Sequence, residues 1–445
     1  MQALRDRVAV RVLPADVLTP IGACLALAKP QASCLLESVE SGGRLSRYSF
    51  LGVDYSAAES FEADGLYDRV RTFVEAHRFE GDDAALGGAL LAFSYDAARP
   101  EARLPPREPA VPSMPAVFVA IPATWLIFDH FTHTLTIWTR GSDAGALDRR
   151  IDAYVERLLT TAPALPGSVQ VVSPVQQSIE LGRYLELAET VKRHIFEGDV
   201  YQLQLGIRFS AEIAGDAFDL YRALRRLNPS PYMFFVDAPF GRLLGASPEF
   251  LVRLEGRDAR VRPLAGTRPR GRDDVDDARI AAELIANEKE RAEHVMLADL
   301  GRNDLGAVCE YGSVRVDELM QIERYSHVMH IVSDVIGRLR EDCDALDLFR
   351  SGFPAGTVTG TPKVRAVQLI DRFEPVARGF YAGSIGRWSF GGDFDSCITL
   401  RSVHVKDGRA SWQASAGIVA DSDPLSEYEE VQQKTRIVRR ALGLE

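Results

Sequence analysis

The stretch EFLVRLEGRDARVRPL, residues 249–264, decides the fold. It holds two runs of alternating apolar and polar residues parted by a charged, glycine-containing turn, which is the pattern of a β-hairpin. SCITLRSVHVKDGRASWQASAGIVA, residues 396–420, reads as a second hairpin turning at Lys406, Asp407 and Gly408. YMFFVDA (232–238), AVFVAIPATWLIFDH (116–130) and TLTIWTR (134–140) add strand-like runs. Helices are expected over 276–303, after Pro362, from Pro424 to Leu442, and in GRYLELAETVKRHIFEGDVYQ, where Gly198 stops the amphipathic pattern. Strands and helices mix without a steady βαβ alternation. That predicts an α+β fold with a largely antiparallel sheet rather than a Rossmann arrangement.

A chain of 445 residues, 46% hydrophobic and 26% charged, can bury a large core. DAARPEARLPPREPAVPSMPA (96–116) is too proline-rich for helix or central strand and reads as a surface connection. TTAPALPGSV (160–169) marks the main boundary, between a region 1–165 and a region 170–445. No run approaches the roughly 18 apolar residues of a membrane span, and the charged start MQALRDRVAVRVLPADV does not suit a signal peptide, so a cytoplasmic location is expected. Cys24, Cys34, Cys309, Cys343 and Cys397 lie far apart with no C-x-x-C pair, and read as reduced packing residues. A net charge of -11 opposes nonspecific binding to nucleic acid or anionic lipid.

Two acid pairs carry the chemistry. In NEKERAEHVMLADLGRND (287–304), Glu290 and Glu293 are three residues apart. A step of three rotates a helix by about 300°, so both carboxylates share a face and repel. Alone, this pair reads as a solvated face beside Lys289 and Arg291. In DSDPLSEYEEVQQK, Asp423 suits an N-cap and Pro424 the first helical position, which puts Glu427 and Glu430 on one face, with Lys434 four residues beyond. That pair too has an ordinary explanation, because a helix N-terminus favours acids. Brought together, the four carboxylates suit a hard ion such as Mg²⁺, which takes oxygen ligands and keeps several waters.

Long blocks in order carry a resemblance: LLESVESGGRLSRYSFLG, NPSPYMFFVD, ASPEFLVRLEG, RPLAGTRPRG, NEKERAEHVMLADLGRNDLG, IERYSHVMHIVSDVIG, FPAGTVTGTPKVRAVQLID, YAGSIG and ASAGIVADSDPLSEYEE. Together they resemble anthranilate synthase component I, of the chorismate-utilising enzymes, over nearly all of the chain after about Gln170 and one earlier block. The resemblance implies two α/β halves around an antiparallel β-sandwich, with chorismate and Mg²⁺ in the cleft between them. It implies Glu293 and Glu430 as metal ligands, with Glu290 and Glu427 behind them on metal-bound waters. It implies Glu249 as the general acid that protonates the departing hydroxyl, which requires a site that disfavours the anion. His330 corresponds to a histidine beside the reacting ring, whereas His327 reads as structural. Thr357, Tyr381, Arg401, Gly417 and Lys434 match positions that bind the substrate carboxylates, through arginine forks and glycine-permitted backbone approach. Ser415 departs from the pattern, since relatives often have a second glycine there.

Two positions separate the family's reactions. Water-adding relatives place a lysine base where this chain has Gln202, and a neutral amide cannot activate water in that way. Aminodeoxychorismate synthases place a lysine nucleophile where this chain has Ala265, so C2 stays open here and the ortho-amino product is expected. Aminodeoxychorismate or aminodeoxyisochorismate synthase component I, and a noncatalytic tryptophan-binding subunit, are the alternatives. The chain has no nucleophile-elbow cysteine, so the resemblance implies a separate glutamine amidotransferase subunit that supplies ammonia, and hence a hetero-oligomer. Ser38, with Glu37, Tyr232 and Met233, resembles the site where family members bind tryptophan as feedback inhibitor, in the 1–165 region.

Overall fold

The computed structural model describes residues 7–39, 47–105, 114–324 and 328–445. Strand Val117–Asp129 is apolar on both faces and buried along all but its last residue, as a central strand must be. Along one edge it pairs throughout with Tyr48–Phe61, with a bulge between Tyr55 and Ala57 opposite Pro122. Proline has no N–H for the ladder, and the bulge absorbs the irregularity. Along its other edge the strand is shared. Gly88–Phe93 takes its first residues and Thr134–Gly141 its last ones.

From this fork two antiparallel sheets extend. The first continues from Tyr48–Phe61 through Ser33–Glu37, Tyr232–Ala238, Gly241–Ser247, Ser402–Lys406 and Arg409–Ile418 to Gln202–Ala214. The second continues from Gly88–Phe93 through Ser384–Ser389, Phe394–Ile398, Phe250–Glu255 and Asp258–Val261 to Val328–Arg338, which also pairs with Leu264–Pro269 and Arg315–Arg324. Both sheets contribute to one hydrophobic core. The expected α+β class is borne out: two antiparallel sheets with helices packed on them. Strands from before residue 165 and after residue 170 pair directly, Ser33–Glu37 with Tyr232–Ala238 and Gly88–Phe93 with Ser384–Ser389.

Both expected hairpins form. Gly256 at φ 59 turns the first, and Asp407 and Gly408, at φ 50 and 74, turn the second, whose reversal needs two left-handed residues. Helix Pro424–Ala441 starts as read, with the Asp423 side chain accepting from Ser426 N at 2.9 Å. The helix expected over 276–303 is instead two, Asp274–Ala286 and Glu288–Gly306. Asn287 is extended at ψ 114 and caps the second with its side chain, a role that asparagine takes in preference to helix interior. The 96–116 connection also departs from expectation. Tyr95–Ala98 is a 3₁₀ turn, and Ala97, Ala98, Arg99 and Ala102 are buried, with Arg99 donating to Pro105 O and Asp371; residues 106–113 lie outside the described residues. All five cysteines are unpaired. Among the described residues no helix is long and apolar enough to cross a membrane.

Candidate active site

The chain crosses from one sheet to the other at Ser247–Glu249, between Gly241–Ser247 and Phe250–Glu255, and again at 399–401, between Phe394–Ile398 and Ser402–Lys406. Glu249 and Arg401 stand at these two crossings. The Glu249 carbonyl accepts from Ile398 N at 3.1 Å and from Ser247 Oγ at 3.1 Å, which locks the first crossing to the second. Arg401 holds a left-handed φ of 46, so it is no ordinary strand charge.

The Glu249 carboxyl is buried, and Thr357 Oγ1, in the turn Gly356–Val358, donates to it at 3.2 Å. Burial pushes its pKa up to about 8, against the lowering effect of that hydroxyl. Glu249 and Thr357 line an open pocket together with Arg262, Leu297, Gly301 and Asp304. His330, on Val328–Arg338, is also buried, and burial pulls its pKa down to about 4 with help from the Arg401 charge. Its Nδ1 lies 3.2 Å from Gly266 O. A carbonyl can only accept, so Nδ1 carries the proton and Nε2 keeps its lone pair. His327 lies outside the described residues.

The acid pairs sit on helices carried by different sheets. Glu288–Gly306 packs on Leu264–Pro269 and Val328–Arg338, whereas Pro424–Ala441 packs on Arg409–Ile418. Glu293 accepts from Gln202 Nε2 at 3.0 Å; burial raises its pKa, and the Glu290 and Glu430 charges raise it further. Glu427 accepts from Ser422 Oγ at 2.7 Å and is raised by burial and then by Glu430. Glu293, Glu427 and Glu430 are thus within electrostatic reach across the gap between the sheets. Glu290 is held by Arg268 at 3.1 Å and Glu430 by Lys434 at 2.6 Å, so cations of the chain offset part of the repulsion. Among the described residues, only His194, Glu197 and Asp199 bring three donor atoms within 4.8 Å of one another. The glutamates are therefore set wider than a closed all-protein shell. That spacing, with oxygen donors only and the Gln202 Oε1 buried beside them without a hydrogen-bond partner, fits Mg²⁺ held by one or two carboxylates and waters.

Gly417 lies within strand Arg409–Ile418, directly opposite Gln204, and not in a turn. A Cβ there would fall 2.6 Å from Gln202 Nε2 and 2.8 Å from Gln204 Nε2, so only glycine leaves room for both amides. The Tyr381 hydroxyl lies 2.8 Å from Ser415 Oγ, and Lys434 Nζ donates to Ser415 O at 3.0 Å. Ala265 pairs with Ile331 beside a bulge at Gly266. Two contributors escaped the sequence reading. Arg378 donates to Glu374, Val358 O and Gln204 O, and so ties the Thr357 turn to strand Gln202–Ala214. Gln204 could have been found from its spacing, because alternate strand residues share a face and it stands two residues from Gln202.

The residues assigned to tryptophan lie together. Glu37 pairs with Met233, Ser38 follows at the strand end partly exposed, and Tyr232 precedes Met233. Glu37 is buried and held by Tyr221 Oη at 2.5 Å and by Arg225 at 3.0 and 3.1 Å. The Tyr232 hydroxyl donates to Asp395 at 2.9 Å, and Met233 is buried.

Comparison with known proteins places this geometry. A model of the chorismate binding enzyme family matches residues 34–440. The chain is 40% identical to the anthranilate synthase component 1 of Acinetobacter calcoaceticus, over 97% of this chain and 94% of that one. It is 41% identical to the Thermus thermophilus protein of the same name, over 97% and 96%. Its fold matches the crystal structure of anthranilate synthase component I from Streptococcus pneumoniae with a TM-score of 0.82 and 32% identity, over 96% of this chain and 99% of that one.

Proposed function

The chain belongs to the family of chorismate-binding enzymes, and from that premise we propose that it converts chorismate and ammonia to anthranilate, pyruvate and water, as the large component of an anthranilate synthase in tryptophan biosynthesis. The observation that carries the reaction is the buried Glu249 carboxyl, neutral at pH 7 because burial pushes its pKa to about 8. A neutral carboxyl at the cleft is a general acid. It gives its proton to the C4 hydroxyl as that group departs and ammonia forms the new bond at C2. Loss of the C2 proton then expels the enolpyruvyl group as pyruvate and aromatises the ring. His330, kept neutral by burial, has an Nε2 lone pair suited to that proton. Arg401, Thr357, Lys434 and Gly417 would bind the two carboxylates, Tyr381 would contribute through its bond to Ser415, and Ala265 would present no nucleophile to C2. Glu293 and Glu430 would hold Mg²⁺, with Glu290 and Glu427 behind them. When bound there, the ion would supply positive charge to offset the substrate's carboxylate and the charge that develops during the reaction.

The component name of the relatives supports a partner subunit, which on this reading would draw ammonia from glutamine, and the unpaired cysteines support a cytoplasmic setting. Ammonia needs only to reach C2, so excess ammonium should support turnover by this chain alone. Incubation with chorismate, Mg²⁺ and ammonium should give the fluorescence and mass of anthranilate. The mass of aminodeoxychorismate or aminodeoxyisochorismate as sole product would reject the assignment. Tryptophan, as feedback inhibitor, would bind within the 1–165 region at Ser38, with Tyr232 and Met233 beside it and Glu37 behind as a fixed support. Tryptophan should raise the melting temperature, and Ser38→Phe should remove that shift; an identical shift in the variant argues against this site.

A further inference from the structure

We infer that Gln204 is a donor to a substrate carboxylate, oriented for that task by Ser415. The inference rests on the chorismate reading above. Gln204 Oε1 accepts from Ser415 Oγ at 2.8 Å. Serine has one hydroxyl proton, so with that proton on Gln204 the 2.8 Å contact between Ser415 and Tyr381 must be donated by the tyrosine. The chain of bonds therefore runs Tyr381 to Ser415 to Gln204. Two consequences follow for recognition of an anion. The Tyr381 proton is committed to Ser415, which leaves that phenol oxygen an acceptor and unsuited to gripping a carboxylate. The Gln204 amide has its oxygen turned to Ser415, so its NH₂ faces the strand opposite, where the absent side chain of Gly417 leaves space.

Gln204 Nε2 makes no hydrogen bond to a described residue, although the residue is only 7% exposed. Its neighbour on the same face, Gln202, already gives its NH₂ to Glu293. The Gln204 backbone is held at both ends of its peptide, N–H to Thr359 O at 3.0 Å and C=O from Arg378 at 2.8 Å, so the amide is presented from a fixed support. A rigid NH₂ beside an open glycine, with Lys434 bonded to the carbonyl of the next-but-one residue, suits one carboxylate oxygen of chorismate. Ser415 is then a positioning residue, and it stands where the family often has glycine.

Steady-state kinetics with chorismate, Mg²⁺ and ammonium test this on the wild type, Gln204→Leu, Ser415→Ala and the double variant. A hydrogen bond to a charged group corresponds to about 10- to 100-fold in binding, so Gln204→Leu should raise KM by that factor with kcat within about threefold. Ser415→Ala should raise KM by about 3- to 10-fold. The double variant should match Gln204→Leu within about twofold, because Ser415 acts only through that amide. Gln204→Glu keeps the shape and adds a negative charge, so its KM should rise at least as far as that of the leucine variant, and it decides the matter if Gln204→Leu does not fold. An unchanged KM in either Gln204 variant, or multiplying effects of the two sites, overturns the inference. A wild type that does not consume chorismate would instead reject the proposed function.

Discussion

Glu249→Gln should lower turnover by about 10²- to 10⁴-fold, the span of general acid catalysis, and at the same time make the protein more stable. The two effects have one cause. The carboxyl is buried, and burial lifts its pKa from an ordinary 4.5 to about 8. A group whose folded pKa is raised gives its full stability below the unfolded value and loses it as pH rises toward the folded one. At pH 7 the unfolded chain gains by ionising Glu249 and the folded chain does not. With a 1.36 kcal/mol cost per unit, the penalty at pH 7 is on the order of 3 kcal/mol. Glutamine has the same shape and no charge to lose, so the variant should melt several degrees higher at pH 7 and show no gain near pH 4.5. Wild-type kcat should fall as pH rises through about 8, when the proton to be donated is lost. Turnover within tenfold of wild type, or a lower melting temperature at pH 7, would falsify the role.

Removal of Mg²⁺ should abolish turnover, and Glu293→Gln should do nearly the same at any practical Mg²⁺ concentration. Glu293 and Glu427 both have raised pKa values, from burial first and then from neighbouring carboxylates. A divalent cation needs them ionised, so its binding releases protons and must weaken as pH falls into that raised range. Binding to the folded chain alone stabilises it by about 2.7 kcal/mol at a hundred times Kd. The wild-type melting temperature should therefore climb with Mg²⁺, and the climb should nearly vanish in Glu293→Gln. Full activity in EDTA, or a Mg²⁺-dependent rise that survives the substitution, would reject these ligands.

Local elements were largely legible. The hairpin turns at Gly256 and at Asp407 and Gly408, and the capped start at Asp423 and Pro424, are short-range signals that packing did not override. Asn287 was misread because the apolar spacing continues through it, while its cap is a matter of one backbone angle. The forked strand Val117–Asp129 and the crossings at Glu249 and Arg401 depend on pairing between distant segments, which no local pattern encodes. For the same reason the four glutamates could be joined in advance only by resemblance. Gln202 and Gln204 needed only period-2 reading, but nothing local reveals that Ser415 turns the second amide.

Because the paired carboxylates sit on helices carried by different arms of the forked sheet, the proposed ion-binding centre would form only once those arms have packed together. Chain segments more than a hundred positions apart must meet first, and such closure is a slow step in the acquisition of native structure. Neither arm alone carries both acid pairs, so catalysis regained during renaturation should mark the packing of the two arms rather than the earlier growth of either one.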